Sequence, residues 1–405
     1  MSLLRLFPSS CLLAVLSAAS ARAATGPRMA AERAALAQRA ERELRGDILP
    51  FWLKHTRNPA TGGFFGLIDA DMRVDPSAPR GALLTSRILW TFSRAYSVYR
   101  DPAYLEMAQW AYRDLRDHFR DAEEGGLYWT ITAAGRPLDL RKQIYGEAFG
   151  IYALAEYHRA TGDASALQEA IELYRLVERH ARDQVHGGYF DALNRDWSRR
   201  ADNLLGPGPK SQNSHIHILE AYTNLLRSWP DPGLRAAQHE LIEVTLDHLI
   251  DPRTHHLILF LADDWTPLSR TVSYGHDIEL SWLIAEAGRV QADSALIARI
   301  RPVALAMAEA TLAEGVDADG GVVNEGGPGG YIDANKDWWP QAEAAVGFVN
   351  AWQESGDGRF FAAARRSWDL IEAKFVDRVH GDWIGSITRE GVPRPQPKVS
   401  LWKCP

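Results

Sequence analysis

Apolar residues recur at three- and four-residue intervals along most of the chain. The pattern predicts helices over 28–48, 83–98, 103–119, 143–160, 164–182, 213–228, 235–249, 276–290, 293–314, 338–355 and 358–375. Asp101-Pro102, Gly162-Asp163 and Gly356-Asp357 break them into pairs. Between the pairs, a short glycine-aromatic or β-branched segment returns about every 63 residues. It reads Gly62-Gly63-Phe64-Phe65, Gly125-Gly126-Leu127-Tyr128, Gly187-Gly188-Tyr189-Phe190, His256-Leu257-Ile258-Leu259, Gly320-Gly321-Val322-Val323 and His380-Gly381-Asp382-Trp383. Turn-rich stretches follow several of these, so each is expected to form a small hairpin or extended loop. A lone helical pair cannot bury its apolar face, so the pairs must stack. Six loops with paired helices predict an all-α fold, a closed (α/α)6 barrel of helical hairpins with short β-hairpin loops at one mouth. An open superhelical solenoid is the alternative.

The loops always precede the same member of each pair. Those members are expected to be the inner helices of the ring, running parallel, with their N-termini at one rim. Free N–H groups and the positive dipole end make that rim a sensible place for a polar site.

The unusual polar residues fall at the starts of these helices. Arg87 opens one, and Tyr145 shares a face of the next with Phe149 and Tyr152. Asn213, His217, Glu220 and Asn224 form a polar stripe along an otherwise apolar helix. His276 and Glu279 are three residues apart and can touch. Trp339 and Glu343 share a face beside Trp338. Aromatic walls with carboxylates and amides suit a sugar. His215 reads as structural, and Glu220 equally as an anchor for His217 or for a neighbouring helix. His186, His255, His256 and His380 sit in loops and read as turn or surface residues. His255-His256 has no third ligand in view, so no zinc site is expected.

Composition narrows the partner. With 45 Lys and Arg against 52 Asp and Glu, the net charge is −7, which gives no basic footprint for nucleic acid. The remaining candidate is a neutral small molecule. Residues 1–23 read as a signal peptide: Arg5, an apolar run from Cys11 to Ala19, and an Ala21-Arg22-Ala23 cleavage site. The run is too short to span a bilayer. An exported, periplasmic, single-domain protein over 24–405 is therefore expected. Its sole remaining cysteine is Cys404, which allows neither an internal disulfide nor a cysteine-based zinc site.

The strings RILWTFSRAY, KQIYGEAFGIYALAEY, NSHIHILEAYTNL, SYGHDIELSWL, DWWPQAEA and LWKCP resemble the cellobiose 2-epimerases, within the N-acylglucosamine 2-epimerase and mannose isomerase family. The resemblance runs from about Glu43 to Pro405. It implies a monomeric enzyme with no metal or cofactor, turning the reducing-end glucose of a β-1,4-linked disaccharide into mannose through a cis-enediolate. By the family pattern His276 is an acid/base group supported by Glu279, while Arg87 and His217 bind the open-chain oxygens. Tyr145, Asn213 and Trp339 would hold the reacting sugar, Trp338 and Trp402 would wall the rings, and Glu343 would assist ring opening. The chemistry asks for such groups: a base near neutrality for a proton alpha to a carbonyl, and donors for the developing oxyanion.

One departure stands out. In the family, Trp-Lys-Cys-Pro leads into Tyr-His and the last inner helix, whereas here the sequence stops at Pro405. The resemblance thus implies a C-terminally truncated toroid without its twelfth helix or its second catalytic histidine. A shortened copy of an active epimerase is the preferred reading over a naturally impaired protein, and little turnover is expected of the chain as given. Ser214 and Glu147, which stands where the family often has Gln, are smaller departures. Two rivals stay open. An (α/α)6 glycoside hydrolase could draw its two carboxyls from Glu220, Glu279 and Glu343. A non-catalytic sugar-binding protein is the other.

Overall fold

A computed structural model describes residues 26–405. The leader and cleavage site read over residues 1–23, with Cys11, lie outside the described residues. Helix α1 (Pro27–Glu43) passes through a π-helical turn (Leu44–Ile48) into α2 (Leu49–His55). Five pairs follow: α3 (Ala82–Tyr99) with α4 (Pro102–Asp114), α5 (Ile144–Thr161) with α6 (Ala164–His180), α7 (Gln212–Leu226) with α8 (Pro232–Val244), α9 (Tyr274–Gln291) with α10 (Ser294–Ala310), and α11 (Trp338–Ser355) with α12 (Gly358–Leu370). Each predicted helix is present; α4 and α12 reach their expected ends through a further π-helical turn, Leu115–Phe119 and Ile371–Phe375, and the opening helix runs on to His55.

The breaks within pairs have one local cause. Arg100, Gly162, Ala292 and Gly356 end their helices in the left-handed region, each returning its N–H to a carbonyl four residues back. The next residue, Asp101, Asp163, Asp293 or Asp357, then caps the following helix by accepting its first backbone N–H groups. Asp231 caps α8 in the same way.

The described residues form two compact units. The first holds 52–249, 258–269 and 397–405; the second holds 26–51, 250–257 and 270–396. In the first unit α5 packs between α3 and α7, and in the second α9 packs on α11. These leading helices are buried nearly all round: every residue of α5 from Ile144 to Tyr157 is buried. The trailing helices bury one stripe, as Ala166, Ala170, Leu173, Tyr174 and Val177 do in α6. A two-residue strand before each leading helix pairs antiparallel with the loop of the next repeat. In the first unit Arg80–Gly81 pairs with Thr130–Ile131, Lys142–Gln143 with Ala192–Leu193, and Lys210–Ser211 with Phe260–Leu261. In the second unit Val272–Ser273 pairs with Gly326 and Glu325, and Lys336–Asp337 with Ser386–Ile387.

Two buried devices fix these loops. A cation two residues ahead of the helix meets an aspartate: Arg80 with Asp114 at 3.1 Å, Lys142 with Asp121 at 3.0 Å, Lys210 with Asp183 at 2.8 Å, and Lys336 with Asp319 at 2.6 Å. Val272 takes the cation's place in the fourth repeat. There His256, read from the sequence as a turn or surface residue, is only 5% exposed. It lies between Asp277 (2.7 Å) and Glu314 (3.2 Å), so it is a buried ionic anchor. The second device is the fourth residue of the leading helix, which accepts a backbone N–H from the glycine-aromatic loop. Glu147 takes Leu127 N–H (2.9 Å), His215 takes Tyr189 N–H (3.0 Å), Asp277 takes Leu257 N–H (2.7 Å) and Gln341 takes Val322 N–H (2.8 Å).

Glu147 fills this role at a disadvantage. Burial, opposed by Lys142, pushes its carboxyl up to about 7, and its second oxygen meets no hydrogen-bond partner. The folded chain therefore keeps a proton that the unfolded chain, at 4.5, gives up. Stability then falls as pH rises from about 4.5 to about 7, by at most ~3 kcal/mol. Gln341 shows the remedy: its amide also donates to Val322 O (2.8 Å) and Asp337 O (2.9 Å). Glu147→Gln is expected to be near neutral at pH 5 and to stabilise by about 2 kcal/mol at pH 8. Denaturant midpoints across that range check it; a pH slope equal to the parent's would refute the assignment.

Candidate functional site

The leading helices share a register, and the candidate residues fall on repeated positions of it. The sixth residues are Arg87, Phe149, His217, Glu279 and Glu343. The thirteenth are Arg94, Glu156, Asn224, Glu286 and Asn350, all polar and all buried. In four of the five leading helices one stripe thus carries polar groups at both positions inside an otherwise apolar helix; α5 has Phe149 at the first of them.

In the first unit the structure brings together Arg87, Tyr145, His217 and Trp402. Arg87 donates from Nη2 to the Tyr145 hydroxyl at 3.0 Å, and its guanidinium lies 4.2 Å above the Phe149 ring. The His217 ring stands 5.0 Å from Tyr145 and 4.8 Å from Phe149. Its Nδ1 is 3.0 Å from Glu220 Oε2. Burial drives this pair toward neutrality. It takes His217 well below the ordinary imidazole value, with Arg87 adding to the effect, and it pushes Glu220 up to about 7 against the pull of Arg87. Glu220 thus holds the far nitrogen of His217. A neutral His217 can donate one hydrogen bond without bringing a second charge beside Arg87. Trp402 is 48% exposed, and its ring sits tilted 5.9 Å from Tyr145 and 5.8 Å from Trp129, a flat apolar surface at the edge of the cluster. Asn213 Oδ1 is buried and meets no hydrogen-bond partner.

His215, two residues from His217, is spent on structure. Its Nδ1 bonds Ser211 O at 2.7 Å, its Nε2 accepts Tyr189 N–H, and burial lowers it to about 4. This is the structural role read from the sequence.

In the second unit His276 is partly exposed at the third position of α9. Ser273 Oγ lies 2.7 Å from its Nδ1, and the Trp339 ring is 4.7 Å away. Glu279 is buried one turn on. Glu343 accepts the Trp282 indole N–H at 2.8 Å. Of the adjacent tryptophans, Trp339 meets His276, while Trp338 packs against the core that includes Phe348, Phe360 and Ile371. Ser273 and Trp282 were not singled out in the sequence. Ser273 opens the string SYGHDIE, three residues ahead of His276, and that spacing is the signal that could have found it. Among the described residues no three His, Cys, Asp or Glu side chains cluster as metal ligands, and no helix is long and apolar enough to cross a membrane.

Chemically, the first unit offers a guanidinium, a phenol and a neutral imidazole, all able to donate to a developing oxyanion. The second offers an accessible imidazole beside an indole, suited to taking a proton from carbon.

Comparison with known proteins identifies the family. The chain is 43% identical to a cellobiose 2-epimerase from Bacteroides fragilis, over 91% of this chain and 96% of that one. It superposes on the cellobiose 2-epimerase structure from Bacillus thermoamylovorans with a TM-score of 0.86 at 36% identity, covering 90% and 94% of the two chains. For the structure from Spirochaeta thermophila the TM-score is 0.85 at 39% identity, covering 94% and 95%. The fold class expected from the sequence, the (α/α) toroid of helical hairpins, is the class of these structures. The profile of the N-acylglucosamine 2-epimerase family matches residues 63–403. The chain belongs to the N-acylglucosamine 2-epimerase family of sugar epimerases, and within it stands with the cellobiose 2-epimerases.

Proposed function

We propose that the protein epimerises C2 of the reducing-end glucose in β-1,4-linked disaccharides, cellobiose foremost, by proton removal and return through a cis-enediolate. His276 exchanges the C2 proton, with Glu279 supporting it. Arg87 and His217 donate to the oxygens of the open-chain sugar, and Tyr145, Asn213 and Trp339 hold it. Trp402 and Trp338 wall the sugar rings, and Glu343 assists ring opening. The observation that carries the reading is the Arg87–Tyr145–His217 cluster. It groups a guanidinium, a phenol and an imidazole in an aromatic setting, where hydrogen bonds to a developing oxyanion would be strengthened by exclusion of water. A hydrolase would need two carboxyls working on one bond. Of the three candidates, Glu220 is engaged by His217 and Glu343 by Trp282.

The test is cellobiose in D2O followed by NMR. Exchange of the C2 proton needs one acid/base group, and appearance of mannose needs one on each face of the enediolate, so the two are followed separately. For a chain restored past Pro405, deuterium at C2 and glucosyl-mannose are expected. Free glucose would move the reading to hydrolysis. Saturable binding with neither exchange nor product would leave a sugar-binding protein.

A further inference from the structure

The residue ahead of each leading helix is Gly81, Gln143, Ser211, Ser273 or Asp337. The two serines behave differently. Ser211 caps its helix: its Oγ accepts Ser214 N–H at 3.2 Å. Ser273 has similarly extended backbone, yet its side chain makes no cap bond. A serine cap is worth about 1 kcal/mol. Ser273 Oγ instead lies 2.7 Å from His276 Nδ1. The imidazole is also flanked by Trp339, and Gly275 permits that approach. A Cβ at Gly275 would come within 2.6 Å of the indole and 2.9 Å of Pro340. One nitrogen of the ring is therefore tethered, and an indole is held beside it.

We propose that Ser273 is a positioning residue for His276. Its hydroxyl accepts the Nδ1–H and so leaves Nε2 as the nitrogen that exchanges a proton with C2 of the sugar. This rests on the epimerase reading above. A neutral imidazole has one N–H; placing it on Nδ1 gives Nε2 the lone pair. When Nε2 takes the C2 proton the ring carries N–H at both nitrogens, and the Nδ1–H still reaches Oγ. The same hydrogen bond serves the base and its conjugate acid, so the ring does not turn between removing and returning the proton. A carboxylate in this place would favour the imidazolium; a hydroxyl does not. The carboxyls on the elements around His276 include Asp277, Glu279, Glu314, Glu325, Asp337 and Glu343. On α9, Asp277 is held by His256 and Leu257 N–H, and Glu279 is one turn on. Glu325 is paired in register with Ser273 across the ladder. Asp337 precedes α11, Glu343 accepts from Trp282, and Glu314 is bound to His256.

Two measurements test this. In protein labelled with 15N-histidine, with the His276 signals assigned through His276→Gln, the neutral ring is expected to carry its proton on Nδ1. Ser273→Ala should lose that preference and Ser273→Thr should keep it. In parallel, C2 exchange of cellobiose in D2O is followed against pH. Ser273→Ala is expected to lower kcat about 10-fold with KM little changed, and Ser273→Thr to recover most of the loss. Ser273→Asp should move the rise of rate to higher pH by about one unit. If Ser273→Ala keeps the wild-type nitrogen shifts and pH profile, whatever it does to the melting temperature, the proposal is overturned. If the nitrogen shifts behave as expected but His276→Gln leaves exchange untouched, His276 is not the group that moves the C2 proton and Ser273 has no part in the reaction; a parent protein that shows neither exchange nor product would sink the epimerase reading itself.

Discussion

Replacing His276 by alanine is expected to lower C2 proton exchange by about 10³-fold while leaving the fold in place. A positioned general base contributes roughly 10²–10⁴ in rate, and His276 is partly exposed at a helix start with its Nδ1 held by Ser273. The fold should tolerate its loss for local reasons. The ring is partly exposed, it is not a loop anchor, and the hydroxyl it releases on Ser273 can turn back to cap α9 as Ser211 caps α7. His256 and Asp277, which do anchor a loop to α9, remain as they are. The check is paired: exchange kinetics by NMR and a thermal melt. A variant that keeps more than a tenth of the wild-type exchange would remove His276 from the proton transfer. One that unfolds would show that its ring holds the helix start together.

The contrast between His276 and His215 shows what could be read along the chain and what could not. Both sit at helix starts in polar company, and only the three-dimensional partners separate a tethered but accessible ring from one spent at both nitrogens. The helices themselves were legible because their apolar spacing and their Asp caps are local. Where expectation and structure differ, local rules again explain it. The opening helix, expected to stop at 48, continues to His55. A π-turn over Leu44–Ile48 ends just before Pro50, placing the proline at the second residue of α2, where its missing N–H does no harm. Helix α8 starts at Pro232 rather than 235 because Asp231 caps it. Arg87, His217, Glu279 and Glu343 each stand out in the sequence as polar groups near the start of an apolar helix, but their common sixth position emerges only from the helix starts in the structure. The loop anchors were not. Glu147, His215, Asp277 and Gln341 do one job with four side chains, so no identity recurs, and the N–H each one meets lies about 20 residues away or more. The buried His256 was hidden in the same way, its carboxylate partners lying 21 and 58 residues along the chain.

Removing the Arg87 guanidinium should fall almost as heavily on the reaction, and in a way that tells binding from catalysis. Loss of a single oxyanion donor costs about 10²–10³ in kcat, or ~2.7–4 kcal/mol. Arg87 touches the Tyr145 hydroxyl and lies over Phe149, so its charge sits at a fixed place in a water-poor setting. Arg87→Ala is therefore expected to lower kcat and kcat/KM together by about 10²-fold or more. Arg87→Lys keeps the charge but as a point on a flexible stem, without the planar fork that can serve the hydroxyl and the sugar oxygen at once. It should recover only part of the loss. The charge also has a second consequence. Arg87 adds to the burial that depresses His217 and opposes the burial that raises Glu220. Without it, both the His217 imidazole and the Glu220 carboxyl should hold their protons to higher pH. In the alanine variant the residual rate should then depend on pH differently from the parent's, in a range where His276 alone does not account for the change. A rise in KM with kcat preserved would mean that Arg87 only holds the resting sugar, and the enediolate would need its donors from elsewhere.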